Sequence, residues 1–140
     1  LARALRPDKL CLAGMSQTLL SYLNGKAEME LPVWQMTSLS IETIYERAYS
    51  WKEYLGYGDI IEGRSMIGGG SLPEESLATF LLAIRVKKVN EFLKTLREQP
   101  IPIIARVEEG KVLFDPRTVL LAQETIFLST LKQILSNWKN

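Results

Sequence analysis

The hydrophobic period of the chain changes at Asp59, and that change limits the folds open to it. Before Asp59, apolar residues recur three and four apart; after it, short β-compatible runs alternate with helical ones. Asp8 can cap a helix whose apolar positions include Leu12, Met15, Leu19, Tyr22 and Leu23, closed by Asn24-Gly25. Lys26 to Thr37 contains Leu31-Pro32-Val33-Trp34 and is expected to be an extended connector, since residues before proline avoid the helical region. Ser40 is a good N-cap for a second helix carrying Ile41, Ile44, Tyr45, Ala48, Tyr54 and Leu55, and Gly56 and Gly58 stop it.

Beyond Asp59 the pattern predicts a strand to Met66, then an interruption of all regular structure at Gly68-Gly69-Gly70-Ser71-Leu72-Pro73. A second strand is expected from Thr79 to Val86, and a helix from Lys87 to Gln99 closed by Pro100 and Pro102. Ile103 to Glu108 and Lys111 to Phe114 read as a β-hairpin around Glu109-Gly110, where glycine supplies positive φ. A last helix is expected from about Gln123 to Trp138. Few short strands among long helices imply an α+β fold: a small, largely antiparallel sheet with helices packed on one face. At 140 residues the chain suits a single domain, with 1–58 a mainly helical lead-in and 59–140 the sheet and its helices.

Composition removes much of the usual catalytic repertoire. There is no histidine and Cys11 is the only cysteine, so a Ser-His-Asp triad, a Cys-His pair, a histidine zinc site and a disulfide within the chain are all excluded. Lys plus Arg number 17 and Asp plus Glu 16, a formal charge of +1 that gives no basic excess for nucleic acid or a membrane surface. No apolar run approaches the roughly 20 residues that span a bilayer. A lone cysteine fits a reducing compartment, which makes a cytoplasmic location the expectation. With Leu1 in place of methionine, the chain is expected to be a piece of a longer protein.

Three features carry candidate chemistry. Gly68, Gly69 and Gly70 give up backbone entropy three times in succession, which lets a backbone approach a ligand closely, and Ser71 adds a hydroxyl. The spacing matches neither a P-loop nor a dinucleotide fingerprint, and a flexible connection between strands explains it equally well. Arg3 and Arg6 lie three apart, so on a helical turn their forked guanidinium groups share a side and can clamp one anion. The plainer alternative is a pair of solvated charges. Arg106 alternates with Ala105 and Val107, so a strand would project it to the opposite face, toward a carboxylate ligand or toward solvent. Asp115 and Arg117 flank Pro116 and read as a local turn pair, while Cys11 among Leu10, Leu12 and Ala13 reads as a small buried hydrophobe.

Several blocks stand in a familiar order. They are Arg3-Ala4-Leu5-Arg6-Pro7-Asp8-Lys9-Leu10, Glu30-Leu31-Pro32-Val33-Trp34, Gly68-Gly69-Gly70-Ser71-Leu72-Pro73, Ile104-Ala105-Arg106-Val107-Glu108-Glu109-Gly110-Lys111 and Arg117-Thr118-Val119. Nearly the whole chain thus resembles the C-terminal part of bacterial selenocysteine synthase, the L-seryl-tRNA(Sec) selenium transferase family. Departures are Gln35 where arginine is commoner, Leu77-Ala78 where Leu-Pro is commoner, and Pro7 where valine often stands.

The resemblance implies the small C-terminal domain of a fold-type-I enzyme using pyridoxal phosphate. It implies a homo-oligomeric parent that converts seryl-tRNA(Sec) to selenocysteinyl-tRNA(Sec) with selenophosphate as donor, the cofactor serving as electron sink. The family's cofactor lysine lies upstream of the Arg-Ala-Leu-Arg block, in a segment absent here, and Lys9 does not match it. No catalytic residue is therefore expected in this chain, and the chain alone is expected to be inactive and to hold no covalent cofactor. Arg3 and Arg6 match a pair assigned to the anionic selenium donor, Arg106 matches a small-domain strand arginine, and Gly68 to Ser71 matches a loop near the cofactor or a neighbouring subunit. Two alternatives stand beside this one: a relative acting on another substrate, and a non-catalytic α+β interaction or ligand-sensing domain.

Overall fold

A computed structural model describes residues 7–68 and 72–138 of the chain. The chain divides between Ser38 and Leu39 into two compact units. Among its described residues the first holds α1 (Lys9–Leu23), α2 (Ala27–Glu30) and α3 (Pro32–Thr37). Asp8 caps α1 as expected, its carboxylate accepting the Cys11 N–H at 2.8 Å. The expected extended connector is instead these two short helices. Only Leu31, directly before proline, is extended (φ −96°, ψ 119°), and Pro32 then starts α3 at the first helical position, where its missing N–H costs nothing. Within this unit Ser21 donates to Glu30 at 2.7 Å, and the rings of Tyr22 and Trp34 meet edge to face. Leu12, Met15, Leu19, Tyr22 and Leu23 are exposed, and so is Cys11, contrary to its expected burial.

The second unit opens with α4 (Ile41–Leu55), capped by Ser40 and ended by Gly56 in the left-handed region. A four-stranded antiparallel sheet follows, ordered β1-β2-β4-β3, from β1 (Asp59–Gly68), β2 (Leu72–Arg85), β3 (Arg106–Glu108) and β4 (Lys111–Phe114). Helix α5 (Val89–Arg97) lies between β2 and β3, and α6 (Leu121–Trp138) closes the unit. Glu109 and Gly110 both have positive φ, the two-residue turn expected between β3 and β4.

Both long strands run further toward the glycine block than the sequence pattern predicts. They pair from Asp59↔Ala83 to Met66↔Ser76, and after an irregularity Gly68 pairs with Leu72. Cross-strand hydrogen bonding, which a propensity count does not see, carries the hairpin past Pro73. Proline is tolerated there because β4 reaches β2 only from Leu82 to Arg85, leaving the other edge of β2 free of a ladder.

One face of the sheet is covered by the helices. Trp51 and Leu55 of α4, Phe92 and Leu96 of α5, and Phe127 and Leu131 of α6 pack onto Leu82, Ile84, Val112 and Phe114. Each fully buried side chain of this kind contributes about 1.5–3 kcal/mol by leaving water. The α+β architecture with helices on one face is thus the one the sequence predicts. Arg47 and the Trp51 indole both donate to Glu124, tying α4 to α6 within the core.

Candidate functional site

Among the described residues of the second unit, α4, α5 and α6 pack on the first face of the sheet, and the candidate site lies on the second. Cα partners share a face, so Ile61, Gly63 and Ser65 of β1 lie on it with Leu81 and Thr79 of β2. The pairs Ala83↔Leu113 and Arg106↔Leu113 extend that face to β4 and β3. Leu81, Ala83 and Leu113 form a small buried cluster there with Ile61 packed against it.

Curling of the sheet helps to bury this cluster on the face opposite α4, α5 and α6. β1 and β3 are opposite edges, so a flat sheet would hold them about 14 Å apart, three strand spacings. Arg106 on β3 nevertheless donates through Nη1 to the Arg64 carbonyl on β1 at 3.0 Å. Its Nε pairs with the Glu108 carboxylate at 3.2 Å. Gly63 makes room for the closure, since a Cβ there would run into the Leu81 side chain and lie 3.6 Å from Arg106 Nη2. Arg106 therefore projects from the face opposite Val107, as its alternation predicts, and it arrives already holding two acceptors.

Beside it, the side chains of Ser65, Met66, Ile104, Leu113, Asp115 and Thr118 line an open cavity of about 330 Å³. A second cavity of about 350 Å³ lies between the Ile101–Ile104 segment and α6, and shares Ile104, Asp115 and Thr118 with the first.

Asp115 is the polar hub of this region. It follows β4 directly and accepts hydrogen bonds from Ser65 Oγ, from Thr79 Oγ1 at 2.9 Å and from the Arg117 N–H at 3.0 Å. Pro116–Thr118 is a single 3-10 turn that swings Arg117 inward. Arg117 is only 6% exposed and donates to the carbonyls of Ala78 at 2.8 Å and Leu39 at 3.3 Å. Burial pulls its guanidinium below the ordinary arginine value, and Asp115 beside it pulls back. The sequence presents Asp115 and Arg117 as a local turn pair and reveals neither the burial of Arg117 nor the distant partners of half-buried Asp115. The available signal was Asp115-Pro116-Arg117 set directly after the apolar run Val112-Leu113-Phe114.

Of the residues expected to form a site, the structure describes Arg106 and Gly68. Gly68 is the last residue of β1. Arg3, Arg6, Gly69, Gly70 and Ser71 lie outside the described residues. The arrangement around Arg106 supplies charge and fixed position, the requirements of binding and orientation. Among the described residues, no helix is long and apolar enough to cross a membrane.

Comparison with known proteins gives this arrangement a context. Residues 1–120 match the family model of L-seryl-tRNA selenium transferase. An L-seryl-tRNA(Sec) selenium transferase from Clostridium perfringens (strain 13 / Type A) is 41% identical over 143 residues, covering 96% of this chain and 31% of the relative. The enzyme of that name from Aquifex aeolicus (strain VF5) is 35% identical, covering 97% of this chain and 31% of its own. The chain thus spans about a third of the length of these curated relatives. Among solved structures, that of D-glucosaminate-6-phosphate ammonia-lyase shares the fold, with a TM-score of 0.59 at 18% identity, covering 99% of this chain and 35% of that one.

Proposed function

The chain belongs to the L-seryl-tRNA selenium transferase family, and from that premise we propose that it is the C-terminal domain of an enzyme converting seryl-tRNA(Sec) to selenocysteinyl-tRNA(Sec). Selenophosphate is the proposed donor, and the cytoplasm the proposed location. The observation that carries this reading is the family match over 120 of the 140 residues.

Pyridoxal phosphate is the proposed cofactor of the family-length chain, where it would supply an electron sink for loss of the seryl hydroxyl. The described residues do not fit a covalent site for it. Their lysines are exposed or half-buried on the surface, and Lys88 and Lys94 are paired with Glu91 and Glu98. No step of the reaction is therefore assigned to a lysine here, and the 140-residue chain alone is expected to be inactive.

In this reading Arg3 and Arg6 hold the anionic donor, their forked guanidinium groups suiting a phosphate-like group. The glycine block from Gly68, the end of β1, to Ser71 is assigned a place near the cofactor or a neighbouring subunit of a homo-oligomer. Arg106 takes part in holding the same anionic donor by exchanging Glu108, an exposed partner whose pairing stabilises the fold by about 1 kcal/mol or less. The test is to give the family-length protein seryl-tRNA(Sec) and selenophosphate and follow selenocysteinyl-tRNA formation. Product supports the reading. A cofactor-loaded protein that makes none sinks the substrate assignment.

A further inference from the structure

The point where β2 parts from β4 has a structural consequence for Arg106. The ladder between them ends at Leu82↔Phe114. From there toward the glycine block, β1 and β2 pair only with each other, and a two-stranded hairpin is marginal in water by itself. Side chains replace the missing ladder at the root of this arm. Asp115 reaches both strands, through Ser65 on β1 and Thr79 on β2, and Arg117 takes up the Ala78 carbonyl on the edge of β2 that β4 has left. Ser65 and Thr79 are 5% and 2% exposed, so these bonds are shielded from water.

The same root presents the Arg64 carbonyl, one residue before Ser65, to Arg106. We propose that Asp115 and Arg117 are positioning residues: by anchoring the root of the β1–β2 arm they fix the Arg64 carbonyl and with it the orientation of the Arg106 guanidinium beside the cavity. The anchoring stands on the geometry alone, whereas its bearing on catalysis rests on the reading of Arg106 as an anion-binding residue.

Amide hydrogen exchange on the 140-residue chain, wild type against Asp115→Asn, tests the anchoring. The introduced amide side chain keeps one oxygen acceptor and replaces the other with an NH2 group that cannot accept the Ser65 or Thr79 hydroxyl. Exchange at Arg64–Met66 and Leu77–Thr79 is expected to rise at least about tenfold, while Leu82–Ile84 and Val112–Phe114 stay slow. Ser65→Ala, a milder change, is expected to raise the same root amides by a smaller factor. Unchanged root exchange in both variants overturns the proposal, as does an equal rise throughout the sheet.

In the family-length enzyme, Asp115→Asn is expected to raise KM for selenophosphate more than fivefold with kcat within about twofold, and Arg106→Gln to do the same. If Arg106→Gln leaves both constants unchanged while the root still loosens in Asp115→Asn, the anion assignment falls and the anchoring survives. If Arg106→Gln raises KM and Asp115→Asn does not, the positioning role is overturned.

Discussion

Arg106, on one edge strand of the sheet, donates at 3.0 Å to the carbonyl of Arg64 on the other edge. That single bond across two intervening strands measures how far the sheet has curled. It also accompanies the burial of Leu81, Ala83 and Leu113 on the face opposite α4, α5 and α6. The closure needs an arginine long enough to cross and a glycine small enough to be crossed.

Gly63 is that glycine, and its replacement tests the closure. A methyl group at Gly63→Ala meets the Leu81 side chain, which is almost wholly buried and has little room to yield. Overpacking of this kind is expected to destabilise by about 1–3 kcal/mol, read from urea unfolding. A Gly63→Ala variant as stable as wild type would mean that the curled face relaxes freely.

The tie between α4 and α6 gives a second expectation. Glu124 accepts from Arg47 at 3.1 Å and from the Trp51 indole, and the Arg47 side chain is only 10% exposed. Glu124→Ala leaves both donors facing a partly dried site, at a cost of about 1–3 kcal/mol. Glu124→Gln, which keeps an acceptor, is expected to recover part of that loss. Equal stability of Ala and Gln variants would reduce the role of Glu124 to packing.

Local signals in the sequence were reliable where they reflected local physics. The caps at Asp8 and Ser40, the left-handed Gly56 and the Glu109-Gly110 turn depend on a few neighbouring atoms, and each stands where the sequence places it. The length of β1 and β2 was not legible, because pairing partners and not propensity carried them past Pro73. The hub was illegible for a related reason. Asp115 gathers residues 50 and 36 positions away, and no window around it records Ser65 or Thr79. Arg106 was visible as an alternating strand residue, but its bond to Arg64 depends on sheet curvature, which has no sequence motif.

Helix α1 is expected to respond to acid. The Cys11 backbone N–H stabilises the charged Asp8 carboxylate and holds its pKa below the ordinary 3.8. A depressed carboxylate contributes its stabilisation above the unfolded value of 3.8, and that stabilisation fades as pH falls through the lower folded value. The first turn of α1 is therefore expected to fray only below about pH 3.8, seen as rising exchange and a shifting resonance of the Cys11 amide. Asp8→Asn keeps a neutral cap and is expected to abolish the transition. A transition that persists in Asp8→Asn would assign it to another group.

Arg3 and Arg6 make the sharpest functional test. With both changed to alanine in the family-length enzyme, no forked donor remains at that block to hold a phosphate-like group. Selenium transfer is expected to fall by at least about tenfold, the scale of losing one charge-assisted pair. The visible absorbance of the bound cofactor is expected to stay the same, because its lysine is proposed to lie in the part of the family-length protein outside these 140 residues. Lost absorbance would move the two arginines into the cofactor site. Unchanged turnover would make them solvated charges, and the anion would then have to be held by other residues of the family-length protein.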